Sequence, residues 1–585
     1  MSRASPQTIV LKFGSSVLQS AAALPVAVAE IYRHYRDGAR VIAVVSAFDG
    51  VTDALWAQSR ALTESPDGAT LAALASTGEI SCAAQLTLAV HRTGIAAELT
   101  DPRDIEFTAI GDRNNALAAS VRIDLLNERL TRARVLIVPG FFAKSLEGGV
   151  SLLGRGGSDL TALFLADALG ARCILLKDVD GLYEADPAQK SAHPRRFVLA
   201  NYATAESHAG PLVQSKAIRL ARERGLSVDI ARVGSSLRTR IGEGPTIISP
   251  ALPSKPIRVA LLGLGTVGGG VLQYLNRFPE RFEVVGALVR TPQKHIARGV
   301  PRQILTDSPP DVFARNPQIV VEALPGAEVA RQCLSLALQG LMRVVTANKA
   351  LLAADWATLS PRLGGPRRQI RYSAAVGGGV PMLESLERLS LRNPIVRLRG
   401  VLNGTCNFVL DRCATGDLFV NAVRGAQAEG FAESDPAEDL SGRDTARKME
   451  ILGRVAFGGV PSCEGVSGID EDFRVPAESL AEFRTRLVAE AERIESGFTY
   501  RVGLRALPVT DFLADTRNAG NRLEITTADG TVTTLDGLGA GRIPTATAVF
   551  ADLLEHGRVI ESESFESVTA EFWDPPDLRN VAGTP

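Results

Sequence analysis

Near its start the chain reads TIVLKFGSSVL: a short apolar run, a glycine-containing polar turn, then a return to apolar residues. The same order recurs in the second half as IRVALLGLGTVGGGVLQYL, with another apolar run, FEVVGALV, behind it. Continuous apolar runs of this length predict strands buried on both faces, and the glycine turns predict a switch to helix. LLGRGGSDLTALFLADALG (152–170) predicts a glycine turn opening an amphipathic helix, and ILLKDVDGLYEADP a strand running into acidic turns. SGRDTARKMEILGRVAF predicts a helix with Asp444 and Lys448 four apart on one face. Strands and helices alternating in this way predict two α/β units with largely parallel sheets. Between them ISPALPSKP (248–256) holds three prolines, which disfavour helix before them and cannot donate to a sheet ladder, so it is expected to be a linker.

Composition narrows the function. At 585 residues the chain is too long for one ordinary core. Its 64 basic side chains against 65 acidic ones supply no broad positive field, so neither nucleic acid nor a membrane surface is an expected partner. The six cysteines are scattered, without zinc or redox spacing, which reads as reduced thiols in a cytoplasmic protein. The N-terminal stretch lacks the apolar core of a signal peptide, and no run of about 18 apolar residues occurs, so a soluble protein is expected.

Gly263, Gly265 and Gly268 follow an apolar strand and open a helix, the context in which this spacing binds a dinucleotide. The first glycine permits the tight turn, the second lets backbone approach a pyrophosphate, and the third allows helix and strand to pack closely. An ordinary glycine turn is the plainer reading. Where an NAD enzyme would place an acid for the ribose hydroxyls, Arg290 stands with Lys294 behind it. A cation there favours the 2′-phosphate of NADP, against the plainer reading of surface basic residues.

GFAESDPAEDLSGRDTARKME (430–450) gathers six carboxylates, two arginines and one lysine between apolar segments. A solvated helix face with an Asp444–Lys448 pair would account for it, and so would a polar pocket for a small charged substrate.

This stretch, together with GLGTVG, VTANKALL (345–352), AAVGGGVPMLESL (374–386), GVLNGTCNFVL (400–410) and GLGAGRIPTATAVFADLL (537–554), resembles the homoserine dehydrogenases in content and order across residues 256–585. That family reduces aspartate semialdehyde to homoserine with a nicotinamide cofactor. The resemblance implies that Lys448 is the proton donor, Asp444 its catalytic partner, and Lys349 the lysine beside nicotinamide and carbonyl. Hydride delivery leaves negative charge on the carbonyl oxygen, which a positioned ammonium stabilises and protonates. It further implies substrate contacts from Glu433, Asp439, Gly404 and Thr405. Leu264, Thr266, Val267, Leu324, Thr346, Gly539 and Gly541 would join the three fingerprint glycines and Arg290 at the cofactor. Main-chain oxygens of Val376, Gly378 and Val380 would hold a monovalent cation, Na⁺ or K⁺; Ser373 stands where many relatives have glutamate, and Arg542 replaces a small residue.

In the first half Lys12 ends a strand, and Gly14, Ser15 and Ser16 are expected at a helix start, where backbone N–H groups cradle phosphate. Gly154, Gly156 and Gly157 free the backbone ahead of Asp159, which a helix cap would also explain. With VVSAFDGVTDAL (44–55) and STGEI (76–80), these segments resemble the aspartokinase catalytic domain of the amino-acid kinase family across residues 7–248. By that resemblance Lys12, Ser46, Thr52, Glu79, Arg155 and Asp159 surround aspartate and the transferred phosphoryl group, and Asp178 and Tyr183 lie along ATP, which enters with Mg²⁺. Departures are GSSV after the lysine, Ala188 at a basic position, and Leu212 where a nucleotide-contacting lysine is usual.

The fold expected is α/β: an amino-acid-kinase sandwich (1–250), a linker (251–256), a Rossmann domain (257–390), an α+β catalytic and dimerisation domain (391–535), and a C-terminal segment returning to the nucleotide-binding domain (536–585). No room remains for the paired regulatory domains that usually follow an aspartokinase. The resemblances together imply a homo-oligomeric bifunctional enzyme of the aspartate pathway, which leads to threonine, methionine and lysine. The rival reading keeps only the dehydrogenase active, with the kinase fold as a binding or oligomerisation module.

Overall fold

A computed structural model describes residues 7–187, 194–210, 212–249, 255–365, 368–429, 431–432, 435–473 and 482–572. The expected linker falls largely outside these, as do Ala188 and Glu433. The chain forms two compact units, one drawn from Met1–His91, Ala96–Lys255 and Leu554–Pro585, the other from Arg92–Ile95 and Pro256–Leu553.

In the first unit Thr8–Phe13 is buried at every position because parallel strands Arg40–Val45 and Arg172–Lys177 flank it and helices cover the sheet. The nine-stranded sheet runs in the order Ile247–Ile248, Phe197–Asn201, Arg238–Gly242, Val228–Arg232, Arg172–Lys177, Thr8–Phe13, Arg40–Val45, Val135–Pro139, Ala97–Leu99. Only the pairings of Val228–Arg232 with Arg238–Gly242 and of Phe197–Asn201 with Ile247–Ile248 are antiparallel. A second sheet of four short strands contains Thr108–Ile110 and Phe142–Ser145.

Two expectations change here. After Phe13 the chain makes a turn, not a helix: Val17 N and Leu18 N both donate to Gly14 O, at 3.0 and 2.9 Å. The α-helix begins only at Leu24, with Pro25 in its first turn, where a missing N–H costs nothing. The helix Gly157–Leu169 is not amphipathic; Gly157 through Ala166 are all buried, because strand Thr8–Phe13 lies on one side and helix Ser215–Glu223 on another.

The second unit opens with six parallel strands ordered Leu305–Thr306, Phe282–Leu288, Ile257–Leu262, Ile319–Glu322, Arg343–Thr346, Ile370–Arg371. In chain order this is 3-2-1-4-5-6, the doubly wound dinucleotide-binding topology, with its crevice at the carboxyl ends of the first and fourth strands. A second six-stranded sheet follows, antiparallel except where Val460–Val466 joins Gly497–Pro508. Helix Arg443–Phe457 packs its buried side on this sheet. The start of helix Arg542–Phe572 returns to the nucleotide-binding layer: Phe550 stacks on Tyr274 at 4.8 Å, and Tyr274 Oη meets Thr547 Oγ1 at 2.7 Å. No helix among the described residues is long and apolar enough to cross a membrane.

Candidate active sites

In the second unit, strand Ile257–Leu262 ends at Gly263, whose φ is +96° and whose added Cβ would lie 2.7 Å from Ala323 O. At Gly268 a Cβ would sit 2.0 Å from Gly263 O, so only glycine lets helix Thr266–Leu275 approach the strand. Gly265, at the N-cap, has nothing within 4 Å of an added Cβ. Two glycines are thus needed for packing, while the middle one faces open space at a helix N-terminus, as a pyrophosphate requires. Leu264 is buried, Thr266 exposed and Val267 between them; Arg290 and Lys294 are both exposed just past Phe282–Leu288.

Opposite the fingerprint, Glu322 ends its strand fully buried. Its carboxylate accepts from Leu324 N at 2.8 Å, Thr346 Oγ1 at 2.6 Å and Asn348 Nδ2 at 3.3 Å. Burial raises its pKa, and these three donors oppose the rise. Asn348 Oδ1 caps the helix that starts at Lys349, accepting from Leu351 N at 3.0 Å. Thr346, expected at the cofactor, turns its hydroxyl to Glu322.

Helix Arg443–Phe457 starts behind Gly442, at φ +81°. It divides the charged stretch between its faces. On the solvent side Glu438 pairs with Arg447 at 2.5 Å and with Arg443 at 3.9 Å. On the buried side Asp444, 4% exposed, holds Lys448 at 2.8 Å and also contacts Lys349. Lys448 Nζ donates to Leu402 O at 2.7 Å. Burial would raise the Asp444 pKa; the Lys448 and Lys349 ammonium groups outweigh it and hold the carboxylate far below its usual range. Lys349 is 38% exposed, so the cluster opens to solvent on that side. Asn403, capping helix Gly404–Ala414, donates through Nδ2 to Asp439 at 2.7 Å and Asp444 at 2.9 Å. Thr405 Oγ1 donates to Phe431 O at 2.6 Å and lies 3.2 Å from Asp439. Gly404 abuts Ala519, where a Cβ would come within 2.9 Å of backbone.

Val376 and Val380 are buried in a turn carrying Gly377 and Gly378 at φ +88° and +57°. Ser373 donates to Asp552 through N and Oγ, at 2.9 and 2.8 Å. Gly539 leaves no room for a side chain, its Cβ falling 1.9 Å from Asn521, and Gly541 has φ +117°.

In the first unit a cleft of about 980 Å³ is lined by Lys12, Gly14, Ser15, Ser16, Ser46, Thr52, Glu79, Asp159, Asp178 and Tyr183. Every residue expected there lines it except Arg155, which is exposed and not among the lining residues. Lys12 pairs with Asp159 at 2.7 Å, and a residue not expected, Lys177, reaches the same carboxylate at 3.2 Å. Burial alone would raise the Asp159 pKa; the two ammonium groups hold it down. Asp159 is therefore a buried counter-charge, not a helix cap. Burial pushes Glu79 up to about 7, against Ala47 N at 3.4 Å and the charge of Lys12. The Tyr183 hydroxyl donates to Asp180 at 2.7 Å.

Comparison with known proteins accounts for both units. The homoserine dehydrogenase family model matches residues 381–554, its NAD binding domain 263–362, and the amino acid kinase family 7–231. A homoserine dehydrogenase of Neisseria gonorrhoeae is 30% identical over 339 residues, covering 56% of this chain and 78% of the relative. One of Pseudomonas aeruginosa is 33% identical over 346 residues, with the same two coverages of 56% and 78%. The chain belongs to the homoserine dehydrogenase family. A solved homoserine dehydrogenase from Thiobacillus denitrificans aligns with 54% of the chain and 76% of its own at 34% identity, with a TM-score of 0.48.

Ahead of the homoserine dehydrogenase part the same chain carries an amino acid kinase domain. Residues 232–262 separate the kinase and NAD binding matches, and strands Arg238–Gly242, Ile247–Ile248 and Ile257–Leu262 occupy half of their described part, so no paired regulatory domain is inserted between the two matches. Sequence reasoning missed four polar residues. Asn403 and Asn348 carried a signal, an asparagine just before a helix. Glu322 and Lys177 carried only that of one charge at the end of an apolar strand.

Proposed function

We propose that the chain catalyses two reactions: reduction of aspartate semialdehyde to homoserine by the homoserine dehydrogenase part, and phosphorylation of the aspartate β-carboxylate by the kinase part. The observation that carries the first is a buried carboxylate shared by two lysines, Asp444 with Lys448 and Lys349. A reduced nicotinamide supplies the hydride when bound. Lys448 donates to the carbonyl oxygen and passes it a proton as negative charge develops there, a contribution of about 100- to 10,000-fold for a positioned acid. Asp444 pairs with Lys448, and the Leu402 carbonyl fixes its direction. Asp439, oriented by Asn403 and Thr405, meets the substrate ammonium.

The exposed Arg290 and Lys294 support NADP over NAD. A monovalent cation, if held by Val376, Gly378 and Val380, rests on carbonyl oxygens, because Ser373 is bonded to Asp552. Scattered cysteines without zinc or redox spacing support a cytoplasmic location. Exposed Val460 and Val466 along an edge strand support pairing with a second copy, which light scattering tests.

For the kinase, Mg²⁺-ATP is the phosphoryl donor, and a lysine-lined cleft beside a helix N-terminus provides the positioning and charge neutralisation such a transfer needs. The purified chain is assayed for both activities, with acyl phosphate trapped by hydroxylamine. Lys448→Ala is expected to abolish semialdehyde reduction and spare hydroxamate formation; undiminished reduction overturns the first assignment, and no hydroxamate with aspartate overturns the second.

A further inference from the structure

Lys12 and Lys177 come from strands Thr8–Phe13 and Arg172–Lys177, adjacent and parallel in the first unit's main sheet. Their side chains, 7% and 8% exposed, converge on one carboxylate, that of Asp159 at 5%. Two ammonium groups against one carboxylate leave this buried cluster with one positive charge in excess. Glu79, the other buried acid of the cleft, is held largely protonated below about pH 7 and does not cancel it. Asp178 lines the cleft on its exposed rim. Burial and the neighbouring Lys12 push the Lys177 ammonium down to about 8, so its charge is under-compensated until an anion arrives.

The excess charge faces Gly156, Gly157 and Ser158, which open the thirteen-residue helix Gly157–Leu169 toward the same cleft. Cations from two strands and the first turn of a helix line the same cleft. That suits a phosphoryl group, whose charge is spread over three equatorial oxygens during transfer; a planar carboxylate is matched better by a single guanidinium fork. We propose that Lys177 is a catalytic residue of the kinase, leaving Asp159 to bind the transferring γ-phosphoryl group beside Lys12. A carboxylate oxygen forms a bond to the γ-phosphorus, the bond from that phosphorus to the bridging oxygen breaks, and its electron pair leaves with ADP; Lys177 neutralises charge without gaining or losing a proton.

This rests on the kinase reading above, so the test separates the two. Lys177→Met in the full chain leaves Lys12 and Asp159 as a matched pair, and semialdehyde reduction reports folding. Expected are a fall of about 100-fold in hydroxamate-forming kcat, a KM for aspartate moved less than about threefold, partial rescue by Lys177→Arg, and loss of calorimetric discrimination between ATP and ADP. Wild-type kcat in Lys177→Met with ATP still preferred over ADP overturns the role of Lys177 alone. A wild-type chain that phosphorylates no aspartate overturns the kinase reading, and its ATP-to-ADP preference still decides whether Lys177 meets the γ-phosphate.

Discussion

Asp444→Asn keeps the size of the side chain and removes the charge between two lysines. At 2.8 Å, and with an effective dielectric of about 20, its attraction for Lys448 is about 6 kcal/mol before desolvation is set against it. Stripping one partner from a buried pair typically costs about 3–5 kcal/mol, and here it leaves the Lys448 and Lys349 ammonium groups facing each other. Lys448, the proposed proton donor, is then displaced from the Leu402 carbonyl, so kcat for semialdehyde reduction is expected to fall about 100- to 10,000-fold. The KM for reduced nicotinamide should hold, since the fingerprint glycines are untouched. The assay follows reduced-nicotinamide absorbance, with hydroxamate formation as a control on folding. A variant within about threefold of wild-type kcat, with the kinase unaffected, would mean that this carboxylate does not organise Lys448.

Gly265→Ala and Gly268→Ala should separate cofactor contact from packing: the first raises the cofactor KM at least tenfold with an unchanged melting curve, while the second, whose Cβ falls 2.0 Å from Gly263 O, lowers stability. Arg290→Ser should raise the KM for NADPH about tenfold and leave that for NADH unchanged, read by parallel titrations. Because folding raises Glu79 from 4.5 to about 7, the native first unit binds the extra proton between those values, and its stability falls as pH rises through that window, by up to about 3 kcal/mol. Amide exchange of Thr8–Phe13 between pH 5 and 8 checks this, and Glu79→Gln should flatten the slope.

The apolar runs at 8–13 and 257–262 were legible as buried strands because parallel strands are apolar on both faces, and the glycine spacing at 263–268 marked the turn between strand Ile257–Leu262 and helix Thr266–Leu275. Helix 157–169 was misread because its few polar residues, such as Asp159 and Thr161, look like a solvent face until a second helix is known to cover them. A glycine followed by serines suits a turn as well as a helix start, and only Pro25 further along marks the true beginning of the helix. The resemblance groups Arg155 with Asp159, but Arg155 is exposed and not among the lining residues of the cleft. Lys177, Glu322 and Asn403 act through partners 18, 24 and 41 residues away, a separation that no local pattern reports.

Glu322 joins the ends of two neighbouring strands to the helix bearing Lys349, through Leu324, Thr346 and Asn348. The loop at Leu324 and the helix carrying Lys349 are therefore one stiff piece, and neither can slip without dragging the other. Injury to that keel, as in Glu322→Ala, should surface in coenzyme affinity and in turnover in the same proportion, so an apparently chemical defect and an apparently docking defect would share one origin.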